Sequence, residues 1–132
     1  MTFQVRILAP TGVVWDSEAQ EIILTTNTGQ IGVLTNHTSL LTALNIGITR
    51  IRTSETQWNT LALTSGFAVI KDNQITIIVS EAEDGSTIDI SEAEAQLAEA
   101  KAYLEKAKGS KSEVEAILAV KRAETRYRAA TQ

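Results

Sequence analysis

The sequence predicts a mainly β sandwich of about eight to ten short strands, followed by a C-terminal antiparallel α-helical hairpin. Two observations carry this expectation. Composition changes near Thr87: residues 1–87 hold fifteen threonines and six alanines, whereas residues 91–132 hold eleven alanines and no phenylalanine or tryptophan. β-branched side chains suit a pleated surface, and alanine suits a helix because it loses no side-chain entropy there. The hydrophobic period also lengthens, from two residues to three or four. Two domains are therefore expected, a β-sandwich over residues 1–87 and a two-helix domain over 88–132. Charge divides with them: four basic and eight acidic side chains up to Thr87, then eight of each.

The strands follow in order. Phe3, Val5 and Ile7 alternate with Gln4 and Arg6 until Pro10-Thr11-Gly12 stops the run. Val13–Trp15 and Glu21–Thr25 come next, the latter ending at Asn27-Thr28-Gly29. Ile31–Leu34, Ile46–Arg52, Trp58–Leu63, Phe67–Ile70 and Ile75–Val79 complete the series. Ile51 breaks the alternation that Ile46, Ile48 and Arg50 set up. Lys71-Asp-Asn-Gln74 reads as a hairpin turn.

Two helices follow. Asp89 and Ser91 compete as N-cap of the first, whose stripe is Ala93, Leu97, Ala100, Leu104 and Ala107. Gly109 ends it, as a residue suited to positive φ. Ser112 or Ser110 is the expected cap of the second, whose stripe is Ala116, Val120, Ala123, Tyr127 and Ala130. Alanine buries little area at roughly 25 cal/mol per Å². The hairpin is thus expected to be the part most easily detached.

Composition excludes much chemistry. Without cysteine there is no disulfide, thiolate nucleophile or zinc–thiolate site. A net charge of −4 argues against general nucleic-acid binding. The start lacks the apolar core of a secretory leader, and no stretch approaches the length of a membrane span, so any membrane association is expected to run through partners. His37, the sole histidine, has no neighbouring nucleophile or metal-ligand pattern. An enzyme built on His37 and nearby hydroxyls is the disfavoured reading. No catalytic residue, metal or cofactor is expected. The pairs Glu81/Glu83 and Glu92/Glu94 read as solvated or capping carboxylates.

One charge cluster stands out. Lys121, Arg122, Arg126 and Arg128 crowd eight positions with only Glu124 among them. Arg122 and Arg126, one turn apart, repel unless an anion or an acidic partner intervenes, while Glu124 and Arg128 have the spacing of a helical pair.

Several segments together resemble the epsilon subunits of rotary F-type ATP synthases of the cyanobacterial and chloroplast type. They are Val14-Trp-Asp-Ser-Glu18, Glu21-Ile-Ile-Leu24, Thr26-Asn-Thr-Gly-Gln-Ile-Gly-Val-Leu-Thr-Asn-His37, Ile46-Gly-Ile48 with Arg50 and Arg52, Ser65-Gly-Phe-Ala68, and Val120-Lys-Arg-Ala-Glu-Thr-Arg126. The resemblance implies a noncatalytic subunit coupling the gamma subunit to the c-ring. It implies that a loop from Asn27 to Asn45, above all Gly29, Gly32, Leu34 and His37, faces the rotor foot and ring. It further implies that the helices regulate ATP hydrolysis by rising along gamma, so that Lys121, Arg122 and Arg126 meet carboxylates of the alpha and beta subunits. The implied location is peripheral, on the cytoplasmic or stromal side of a cyanobacterial or chloroplast thylakoid membrane. Some bacterial relatives bind ATP through an Ile/Leu-Asp-x-x-Arg-Ala motif. The matching stretch here, Ile88-Asp-Ile-Ser-Glu-Ala93, places Glu92 where the arginine would be, so tight ATP binding is not expected. The alternative is a free-standing module whose helical tail recognises an acidic protein.

Overall fold

The computed structural model describes residues 1–132. Its strands are β1 (Phe3–Ala9), β2 (Gly12–Ala19), β3 (Glu21–Thr26), β4 (Gly29–Val33), β5 (Leu40–Leu44), β6 (Gly47–Arg52), β7 (Trp58–Leu63), β8 (Gly66–Lys71), β9 (Gln74–Val79) and β10 (Ala82–Asp84). A 3-10 turn at Gly85–Thr87 leads into α1 (Ile90–Ala107) and α2 (Glu113–Thr131). The sandwich and helical hairpin are as the composition predicts. Two strands lie beyond it, β5 and β10.

The strands run in the order β10-β7-β6-β3-β5-β8-β9-β1-β2, with β4 on the other edge of β3. The two halves of this path fold over each other. They are joined at β3, whose inner edge pairs with β6 over Glu21–Ile23 and with β5 only through Thr26 and Leu44. All pairs are antiparallel except β1 with β9. Alternate residues fill the space between. Val5 and Ile7 of β1, Ile22 and Leu24 of β3, and Ile75 and Ile77 of β9 belong to a core of 16 buried residues. Packing side chains from two inner faces is what a sandwich core requires.

β6 explains its own broken pattern. Ile51 enters the main core, whereas Ile48 points the other way into a second cluster with Ala62, Ile88, Ala93 and Ala129. A strand buried on both faces has no polar side to alternate with. What covers the outer face of β6 and β7 is α2, and α1 packs mainly on α2.

Asp89, the first of the two competing N-caps, accepts a hydrogen bond from the Glu92 amide at 3.0 Å, leaving Ser91 inside the helix. Asp89→Ala is expected to lower stability by about 1 kcal/mol, the usual cost of losing such a cap, in a denaturation curve followed by helical circular dichroism. Gly109 has φ of 77° and closes α1 as anticipated. Ser112 makes no side-chain cap on α2. Instead Ser110 Oγ donates to Ala107 O and accepts the Ser112 amide, while Glu113 takes the Gly109 amide. The connection is too tight to place Ser112 in the extended conformation an N-cap uses; its ψ is 0°.

The α1 stripe is buried or half-buried throughout, and so is that of α2. A second line on α2, Thr125 and Ala129, is also buried, because α2 has two neighbours, α1 and the sandwich.

Candidate functional site

Arg126 stands where three elements meet. From α2 its guanidinium forks onto Glu83 of β10, with Nε to Oε1 at 2.8 Å and Nη2 to Oε2 at 3.0 Å. Nη1 reaches α1, at 3.4 Å from Glu92 Oε1 and 3.2 Å from Gln96 Oε1. The planar fork of arginine fits a carboxylate at two points, giving direction as well as charge. The hydrogen bond to Glu83 is the main cause raising the guanidinium above its ordinary pKa, opposed by burial and supported by the charges of Glu83 and Glu92. A raised basic group contributes stability at every pH below its unfolded value and loses it only as pH rises through the folded one. Arg126 therefore stays charged across the physiological range.

The acidic partner that Arg122 and Arg126 call for is thus internal to the chain, at Arg126 alone. Glu83 and Glu92 are ion-pair partners rather than merely solvated or capping groups, a correction to the local reading. Glu83 lies 43 positions from Arg126, so no local spacing reveals the pair. Arg122 is exposed, Lys121 is half-buried, and neither forms an ion pair. Glu124 and Arg128 do not pair either. Arg122, Arg126, Tyr103 and Glu99 line a cleft of 780 Å³ between the hairpin and the β7–β10 side of the sandwich.

The segment from Asn27 to Asn45, one loop in what the resemblance implies, contains β4, at the strand expected over Ile31–Leu34, and the unforeseen β5. Gly29 opens β4 at φ of 129°, in the turn from β3. Gly32 lies in β4 opposite Ile23. Leu34 follows the strand, 55% exposed, and His37 is half-buried with Nδ1 2.7 Å from Thr38 O. Leu34 and His37 share a small concavity with Phe3 and Asn73. The Asn36 amide donates to Asn73 Oδ1 at 2.6 Å, and Asn73 Nδ2 returns to Asn36 Oδ1 at 3.1 Å, clasping this turn to the β8–β9 hairpin. Leu34 and His37 are therefore neighbours, while Gly29 sits about 16 Å away along the strand.

A surface that local reading misses lies on the face away from the helices. Ala43 of β5 is opposite Phe67 of β8, Phe67 opposite Ile78 of β9, Ile78 opposite Leu8 of β1, and Leu8 opposite Val13 of β2. Phe67, Ile78 and Val13 are 44%, 40% and 60% exposed, and Leu41 and Val69 extend the patch in the next row. An apolar line crossing five strands in register is a docking feature, since isolated exposed apolar residues have no reason to align. Its signal was present as outward-facing apolar residues on several strands, but only the register assembles them.

No group of three or more acidic or histidine side chains is arranged to hold a metal, and no helix is long and apolar enough to cross a membrane. A β-sandwich with an apolar outer face and a helical hairpin fastened to the opposite face defines a docking protein with a helical appendage. The family described as "ATP synthase, Delta/Epsilon chain, beta-sandwich domain" matches residues 2–85. The chloroplastic ATP synthase epsilon chain of Mesostigma viride is 71% identical over 129 residues, covering 98% of this chain and 97% of that one. That of Chlorella vulgaris is 53% identical over 132 residues, covering 100% and 98%. A structure of the Euglena gracilis mitochondrial ATP synthase, described as OSCP/F1/c-ring in a rotational state, contains a chain of the same fold. Its TM-score is 0.83 at 21% identity, covering 99% of this chain and 82% of that one. The chain belongs to the family of ATP synthase epsilon chains, and it is a noncatalytic subunit.

Proposed function

We propose that this chain is the central-stalk subunit that couples gamma to the c-ring of a proton-translocating rotary ATP synthase, peripheral to a thylakoid membrane. The apolar row from Ala43 through Phe67, Ile78 and Leu8 to Val13 carries this reading. It supplies a permanent contact to gamma on a face the docked hairpin leaves uncovered. The turn bearing Leu34 and His37, held by the Asn36–Asn73 clasp, is the part offered to the ring, with Gly32 and Gly29 along the adjoining strand. Calorimetry of the full chain with the gamma subunit of a chloroplast-type ATP synthase tests it. A one-to-one complex is expected; no complex with folded gamma makes the chain a free-standing binding module.

In the regulatory part of this reading, the helices leave the sandwich and Lys121, Arg122 and Arg126 meet carboxylates of the alpha and beta subunits, obstructing hydrolysis. The ion pairs of Arg126 make such a move an exchange of one set of carboxylates for another, so the guanidinium is charge-paired in both positions. States that differ by few net contacts are the ones a partner can shift.

Nucleotide does not complete this arrangement. Glu92 places a carboxylate 3.4 Å from Arg126, where a phosphate would compete for the same N–H groups against a negative charge. Titration of the purified chain with ATP is expected to show no saturable binding at low micromolar concentration; a saturable isotherm there refutes the point.

A further inference from the structure

The hairpin meets the sandwich at an unusually close place. A methyl group built on Gly85 would overlap the carbonyl oxygen of Ala129 in α2 and would come within 2.8 Å of Thr60 O in β7. Gly85 is buried, and the turn it opens is fixed by Asp84, whose carboxylate accepts the Ser86 amide at 3.0 Å. The missing side chain therefore admits the backbone of α2 directly against the root of the linker. About one helical turn away, Arg126 holds both β10 and α1. The remaining hydrophobic contact is small, a cluster of five buried residues, three of them alanines.

We propose that the docked position of the hairpin is fastened at two points, a backbone seat at Gly85 and a guanidinium latch at Arg126, and that these, beside the small apolar contact, set how much of the chain has its helices docked. The proposal rests on the reading that the hairpin can leave the sandwich.

Which neighbour yields to a side chain at position 85 follows from what holds each. Thr60 lies inside β7, paired with Arg50 of β6, and the next residue, Leu61, pairs with Asp84 and is fully buried in the main core. Ala129 is held against the sandwich only by the small cluster and the Arg126 fork, with no backbone ladder to any strand. A β-carbon at position 85 therefore displaces α2 and leaves β7 in place. Loss of the Arg126 fork acts on the same equilibrium from the other side, without any steric change. Both residues are positioning residues, acting on where the helices lie.

The test uses the full chain, which has no cysteine and so accepts a spin-label pair at Thr11→Cys and Lys111→Cys. In Gly85→Ala the single docked distance is expected to give way to a broad, longer distribution. Amides of residues 113–131 are expected to exchange at least about tenfold faster, while those of β1, β3 and β9 keep their protection. Arg126→Gln is expected to shift both readouts in the same direction. Thr56→Ala is the control, since Thr56 is exposed in the turn between β6 and β7 and belongs to neither the seat nor the latch. An unchanged distance in Gly85→Ala overturns the seat. So does loss of sandwich protection in that variant, because the glycine would then serve β7. An unchanged distance in Arg126→Gln overturns the latch, whatever Gly85→Ala does. Gamma binding by the same variants reports on the rotor reading separately and is expected to persist in all of them.

Discussion

Aspartate in place of Ile78 is expected to weaken the complex with gamma by at least about a hundredfold, the effect of losing a central hot-spot contact. Ile78 is the middle of the exposed row, flanked by Phe67 and Leu8, and it is 40% exposed in the free chain. A partner seated there removes it from water, and a carboxylate would have to be buried without a counter-charge. The substitution touches no inward-facing residue, so the sandwich should remain folded. Aspartate is nevertheless a poor strand former, with a cost on the order of 1 kcal/mol. A thermal scan alongside calorimetry separates the two effects, and Ile78→Thr, a better strand former, should still lose much of the affinity. Thr56→Asp, in the exposed turn between β6 and β7, should bind as the parent does. Full affinity in Ile78→Asp would place the permanent contact elsewhere.

Ile51→Ala is expected to cost about 2 to 5 kcal/mol, the range for removing a buried aliphatic side chain and leaving a cavity. Ile51 is fully buried, pairs with Ile22 across β6 and β3, and belongs to the main core. Against a typical stability of about 5 to 15 kcal/mol, that is a large fraction. Three residues earlier, Ile48 is 3% exposed but faces the helices. Ile48→Ala should therefore act differently: exchange in α2 rises while the sandwich amides stay protected. Urea denaturation and amide exchange on both variants would show it. Equal global loss from the two would mean that hairpin and sandwich unfold as one unit.

These two isoleucines also show what was legible in the sequence. Alternation in β1 announced a strand with one face inward, and the structure buries Phe3, Val5 and Ile7. The alternation failed in β6 because α2 covers its second face, a tertiary fact with no local sign. β5 went unseen because Leu40, Leu41 and Ala43 are exposed and only Leu44 is buried, so it has no inward period to detect. β10 is three residues with two acids, held by its ladder to β7 rather than by propensity. Asp89 and Gly109 were readable because capping is chemistry within one turn of the chain. Arg126 was visible as part of a crowded basic run, but its carboxylates were not, since Glu83 comes from another element and Glu92 resembled a helix-start acid. The resemblance to a known family reached the docking function from ordered short segments that no single spacing would establish.

The seam between the two halves of the sheet has a mechanical consequence. β3 and β5 share the single pair Thr26 and Leu44 along that edge. A tangential load entering through the β8–β9 face therefore has little backbone ladder by which to reach β6 and β7. Most of it must cross the interdigitated side chains of the core, where close packing leaves little room for compression. Stiffness between the two halves then resides in aliphatic packing volume more than in hydrogen bonds. A void opened in that layer would introduce compliance, a lag between the two faces, before it unfolded the subunit.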